Sequence, residues 1–155
     1  MRSTTLAVLL LPAILLFSSC AAIVPLEPAD DAVNPSCAEV SVHLPERVAN
    51  LDSRETNAQA TGAWGEPASI ILRCGVPVPP PTAEFACVPV DGIEWLRDDS
   101  NDPTFVFTTY GRDPAVEVII DGTVASGLEV LTDLSDAVGA LPKNGRECVS
   151  LGDLG

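Results

Sequence analysis

The turn Tyr110-Gly111-Arg112-Asp113 carries the side chains best suited to recognise a ligand. A guanidinium can clamp a carboxylate or phosphate through two parallel hydrogen bonds, and Tyr110 adds a ring and a hydroxyl. Arg73 could supply a second positive group, and Trp64 and Trp95 could line a neighbouring surface for a sugar or peptide. A structural role competes with each. In so acidic a chain Arg73 and Arg112 are expected to pair with Asp113, Glu117 or Glu94, and tryptophans serve the core more often than a ligand.

Catalytic equipment is sparse. There is no G-x-S-x-G, and His43 is the one histidine, so a serine or cysteine nucleophile would lack its usual base. A pair of carboxylates could hydrolyse a glycoside, but any acidic protein offers such pairs. The run Asp98-Asp99-Ser100-Asn101-Asp102 spaces its oxygens like a calcium loop. It continues with Pro103 where an EF-hand needs glycine and has Thr109 where the bidentate glutamate belongs, so it reads as an exposed acidic turn. No metal and no cofactor is implied.

The cysteines point to an oxidising compartment. Cys20, Cys37, Cys74, Cys87 and Cys148 are odd in number and include no C-x-x-C, which argues against zinc. Setting Cys20 aside leaves four, enough for two disulfides, and three pairings are open. Cys74–Cys87 with Cys37–Cys148 is preferred. The first would close the proline-rich loop from Gly75 to Pro81, worth about 3 kcal/mol of chain entropy, and the second would tie the domain ends for about 5 kcal/mol.

Cys20 is set aside because of what precedes it. Met1-Arg2-Ser3-Thr4-Thr5, an apolar run from Leu6 to Phe17, and then Ser18-Ser19-Cys20 form an export signal over residues 1–19. The run falls short of the about 20 residues that span a bilayer. Small residues before a cysteine resemble a bacterial lipobox, in which cleavage leaves Cys20 first with a diacylglycerol on its sulfur. Phe17 departs from the Leu, Val or Ile usual at its place. The alternative is cleavage after Ala22 and release. The expected location is the outer face of the cell membrane, lipid-anchored, or else secreted.

Charge narrows the partners. Eight Lys and Arg face 22 Asp and Glu, a formal charge of −14. Such a surface repels phosphate backbones, which excludes nucleic acid. Residues 20–35 mix prolines and acids without periodicity and read as a flexible, extended tether behind the lipid anchor. One globular domain is expected over 36–149, with a frayed tail over 150–155.

Within that domain, Pro45 with Leu44, Val48 and Leu51 predicts a helix from Pro45 to the mid-50s. Strands are expected at 69–74, 104–110 and 115–121. A hairpin is expected over 85–96 around Asp91-Gly92, with Pro89 marking its first strand as an edge or a bulged strand. Ser126-Gly127-Leu128-Glu129 fits a capping box. It opens a helix that buries Leu128, Leu131, Leu134, Val138 and Leu141. The fold class expected is α+β: a small antiparallel sheet of about four to five strands with two helices on one face, stapled by disulfides.

Trp64-Gly65-x-Pro67, Arg73-Cys74-Gly75-Val76, Gly92-x-x-Trp95-Leu96 and the stretch from Thr109 to Val118 occur in that order. Together they resemble an actinobacterial family of secreted and lipid-anchored proteins, domain of unknown function 3515. The resemblance covers nearly all of 37–149 and implies export, one compact domain, paired cysteines and an envelope role; it implies no activity. The expected function is a non-catalytic binding or accessory module that meets the membrane through Cys20 and binds an envelope protein or cell-wall component. The alternative is a small carboxylate-dependent enzyme acting on cell-wall glycan or peptide.

Overall fold

The computed structural model describes residues 22–148. The expected export signal at 1–19, the expected lipidation site Cys20 and the expected frayed tail over 150–155 lie outside the described residues.

The first helix, α1, spans Pro35–Val42. Asn34 caps it by accepting the Ser36 N–H at 3.0 Å, and Pro35 occupies the first turn, where a missing N–H leaves no carbonyl unsatisfied. The helix expected from Pro45 does not form. Ala49 and Asn50 take φ of 47° and 63°, which a helix excludes. They turn the chain between β1 (Arg47–Val48) and β2 (Leu51–Arg54). The Trp64 Nε1 donates to the Pro45 carbonyl at 3.0 Å, which takes that carbonyl for the core tryptophan instead of a helical ladder. Val48 and Leu51 face each other across this hairpin, so their three-residue spacing reflects a tight turn and not a helix.

The chain continues through β3 (Thr61–Trp64), β4 (Ile70–Val76), β5 (Ala86–Val90), β6 (Ile93–Asn101), β7 (Thr104–Tyr110) and β8 (Ala115–Asp121). All pairings are antiparallel, and the order is β1-β2-β3-β4-β8-β7-β6-β5. The described residues thus form one eight-stranded sheet with three short helices, not a four-to-five-stranded sheet with two. The missed strands are the short ones at the β1–β3 side. They carry too few alternating apolar residues to announce a buried face. Asp91 and Gly92 both take positive φ, 48° and 76°, as the tight β5–β6 turn requires. Pro89 sits in the edge strand, where its missing N–H deprives no ladder.

The helix expected from Leu128 to Leu141 is two: α2 (Gly127–Asp133) and α3 (Ser135–Gly139). The Ser126 side chain makes no capping bond, and Leu128 is 67% exposed. Leu131, Leu134, Val138 and Leu141 are buried as the stripe requires. They join Cys37 and Val40 of α1 against Ile70, Leu72, Trp95, Val116, Val118 and Ile120 on one face of the sheet, and this is the core.

The segment expected as a free tether is docked. The Ala22 carbonyl accepts from Arg54, Val24 bridges Thr56, and the Leu26 N–H donates to Asn57. Asp31 donates to the Gly75 carbonyl at 3.0 Å, and Ala32 is buried. Gly75, at φ 94°, lies so close to the Asp31 backbone that a Cβ would collide with it. The folded unit therefore begins before residue 36.

The disulfides are Cys37–Cys74 and Cys87–Cys148, not the preferred pairing. Cys74 lies four strand spacings from Cys87 in the sheet, about 19 Å at 4.8 Å each. It also faces the helices, while Cys87, opposite Leu96, faces away. A bridge needs Cα atoms within about 7 Å. The proline-rich loop between β4 and β5 does not close locally. It crosses the sheet face opposite the helices, where Pro79, Pro80 and Phe85 lie over Leu96, Val106 and Thr108.

Candidate anion-binding cleft

The residues singled out from the sequence do not form one site. Trp64 and Trp95 are 1% and 0% exposed and belong to the core, so neither is a ligand platform. Arg73 is held by Glu117 at 2.8 Å, one of the three carboxylates offered for it and Arg112. Asp113 is exposed, and its backbone N–H donates to the Pro142 carbonyl. Tyr110 and Arg112 remain, and they line a common cleft of about 270 Å³.

That cleft has two walls. One is the end of β7 and the turn into β8, which present Tyr110, Gly111 and Arg112, together with Glu94 from β6. The other is the strap after α3, which presents Lys143, Gly145, Arg146 and Glu147. Sequence and backbone explain why they meet. Pro142 cannot extend α3, so the chain turns back and bridges Arg112 through Lys143. The Asn144 N–H donates to the Gly111 carbonyl at 3.0 Å, and its side chain donates to the Arg112 carbonyl at 3.3 Å. Gly111 takes φ of 80°, and a Cβ there would strike the Arg146 carbonyl, so the close approach of the strap depends on glycine. Arg146 donates to the Pro79 carbonyl at 2.7 Å, Cys148 donates its N–H to Glu94, and the Cys87–Cys148 disulfide fastens the far end.

Arg112 is 7% exposed. Its Nη1 donates to the carbonyls of Gly139, at 3.2 Å, and Leu141. Gly139 is the last residue of α3, where partial negative charge collects, and Leu141 follows its cap. Neither Asp113, Glu117 nor Glu94 forms the ion pair foreseen for Arg112. Burial alone pushes its pKa below the usual value, with no opposing carboxylate lifting it.

The cations divide cleanly. Arg47, Arg54, Arg73 and Arg97 pair with Asp52, Glu66, Glu117 and Asp99. Arg112, Lys143 and Arg146 have no carboxylate within 4.0 Å among the described residues, and all three line this cleft. In a chain with 22 acids the unpaired positive charge of the described residues is thus gathered in one place. Lys143 and Arg146 escaped the sequence reading. The one available signal was two bases within four residues, after Pro142 and before Cys148, in a chain with so few.

Other candidates do not rise to a site. His43 is exposed, with Nδ1 2.7 Å from the Glu39 carbonyl. Cys87, Glu94 and Cys148 cluster at metal-ligand distances, but the two sulfurs are bonded to each other and are not thiolates. The acidic run closes the β6–β7 hairpin. Asp98 accepts the Ser100 N–H at 2.9 Å, and bonds from Ser100 lower its pKa below the ordinary 3.8.

No curated protein and no solved structure matches this chain. One family model matches residues 4–145, nearly the whole chain, and its description is protein of unknown function. The motifs running from Trp64 to Val118 thus sit in the family they resemble, and the chain belongs to the DUF3515 family.

Proposed function

We propose that this protein is a non-catalytic binding module, held at the outer face of the cell membrane by a lipid on Cys20, whose cleft captures an anionic group of an envelope protein or cell-wall component. One observation carries the reading: the three cations that lack a carboxylate partner among the described residues converge on a single cleft whose walls are fixed by backbone bonds and a disulfide. A preorganised cationic site avoids the ordering cost that weakens binding to mobile side chains. The overall negative charge of the chain does not cancel it, because exposed charges are screened beyond about 8 Å at physiological ionic strength. Crosslinking on intact cells followed by pull-down identifies the partner, and titration of the exported chain with inorganic phosphate reads the site directly. Amide shifts at Gly111, Lys143 and Arg146 that Arg112→Lys weakens support the reading; unmoved amides at these positions refute it.

A second reading keeps one supporting observation. Glu94 and Glu147 line the same cleft, and two facing carboxylates are what a small glycan- or peptide-cleaving enzyme would need. Against it, Glu94 already accepts the Cys148 N–H, and three cations surround the pair.

A further inference from the structure

The cationic cleft does not end at Tyr110. A second cleft of about 440 Å³ adjoins it and shares Tyr110 and Glu147 as lining residues. Its walls differ in chemistry: Pro81, Ala83 and Phe85 of the proline-rich loop on one side, Leu96 and the Cys87–Cys148 disulfide on the other. Glu94 and Tyr110 of the first and Leu96 of the second share the sheet face opposite the helices, since Glu94 pairs with Tyr110 and Leu96 with Thr108. The result is a groove with a positive end and an apolar end, joined at a half-buried tyrosine. Each part alone falls near or within the range of small-ligand sites, about 300–1,000 Å³.

We infer that the ligand of this groove is an amphiphilic oxyanion, with its charged group among Arg112, Lys143 and Arg146 and its apolar part passing Tyr110 to lie beneath the proline-rich loop. This rests on the anion reading above and narrows it. Charge complementarity places the oxyanion, because no other part of the described chain gathers cations without acidic partners. Glu147 at the junction opposes a second negative charge further along, so the extension is uncharged. Phe85 and Leu96 offer it apolar surface. The groove needs little rearrangement to receive it: Arg146 ties the strap to the Pro79 carbonyl, and the disulfide fixes the strap to β5.

The test compares inorganic phosphate, hexyl phosphate and hexyltrimethylammonium on the full exported chain, by calorimetry and amide shift mapping. The expected result is that hexyl phosphate binds at least about tenfold tighter than phosphate, a gain of about 1.4 kcal/mol. Its shifts should spread from Gly111, Lys143 and Arg146 to Ala83, Phe85 and Leu96, while the ammonium does not bind. Phe85→Ala should remove that gain and leave phosphate binding unchanged. Ala83→Asn, on an exposed loop residue that the fold does not need, should act in the same direction. Equal affinity for both phosphates, with shifts confined to the cationic end, overturns the inference while the anion reading stands. Equal binding of hexyl phosphate and the ammonium also overturns it, since the chain alone would then be recognised. No binding of either phosphate sinks the inference and the anion reading together.

Discussion

Arg112→Ala tests how one side chain can both hold the fold and line the cleft. In the folded protein its Nη1 bonds the carbonyls of Gly139 and Leu141 at the end of α3. Hydrogen bonds involving a charged group contribute about 1.5–3 kcal/mol each. The Gly139 bond is the longer one, and that residue is exposed, so water replaces much of what is lost there. Leu141 is buried and its carbonyl gains no such substitute. The guanidinium itself returns to water in the unfolded chain, which offsets part of the loss. The net expectation is a loss of about 2–4 kcal/mol, which for a domain of this size lowers Tm by roughly 10 °C. Arg112→Lys should fall between, because an ammonium keeps the charge but not the planar fork. Thermal melting monitored by circular dichroism reads the stability, and phosphate titration of the fraction that remains folded reads the site. An Arg112→Ala protein that melts within about 2 °C of wild type would refute the strut, since surface substitutions of no structural consequence stay in that range.

Non-reducing peptide mapping should recover Cys37–Cys74 and Cys87–Cys148. Replacing Cys87 and Cys148 together should cost about 4 kcal/mol of chain entropy for the 61-residue separation and also weaken phosphate binding, whereas replacing Cys37 and Cys74 should cost stability alone. Gly111→Ala should destabilise the fold by about 1–3 kcal/mol and displace the strap, which shift changes at Arg146 would report, because φ of 80° and the nearby Arg146 carbonyl both exclude a Cβ. Bonds from Ser100 and Thr123 hold the carboxylates of Asp98 and Asp121 below their ordinary 3.8, so the stability these groups contribute is complete above that value and fades as pH falls beneath it. Thr123→Ala should move the Asp121 titration upward, as carboxylate chemical shifts would show; an unmoved titration would refute the assignment. Cys20→Ala should abolish lipid labelling and membrane fractionation, and a wild-type protein found wholly in the medium would establish cleavage and release instead.

The family was legible in the sequence, because it rests on local strings such as Arg73-Cys74-Gly75-Val76 and the stretch from Thr109 to Val118 that need no fold to be read. So was the β5–β6 hairpin, since Asp91-Gly92 acts through its own backbone angles, while Pro89 left an edge or a bulged strand open and the topology made it an edge. That Arg73 would pair with a carboxylate was expected from charge balance; which of Asp113, Glu117 and Glu94 it meets was decided by the β4–β8 register. Everything that depended on where distant segments meet was decided by the tertiary structure. Cys74 and Cys87 are close in the chain but are separated by three intervening strands and face opposite sides of the sheet, so sequence distance misjudged the disulfides. Trp64 and Trp95 carry the same side chain whether buried or exposed, and the register of β3 and β6 turned both inward. Arg112 found carbonyls instead of a carboxylate because α3 ends beside it, 27 residues further along. Lys143 and Arg146 were ordinary surface bases until Pro142 and the Cys87–Cys148 bridge folded their segment back onto Gly111. A charge acquires a role from what lies within a few ångströms of it, and at that range the chain's own order says little.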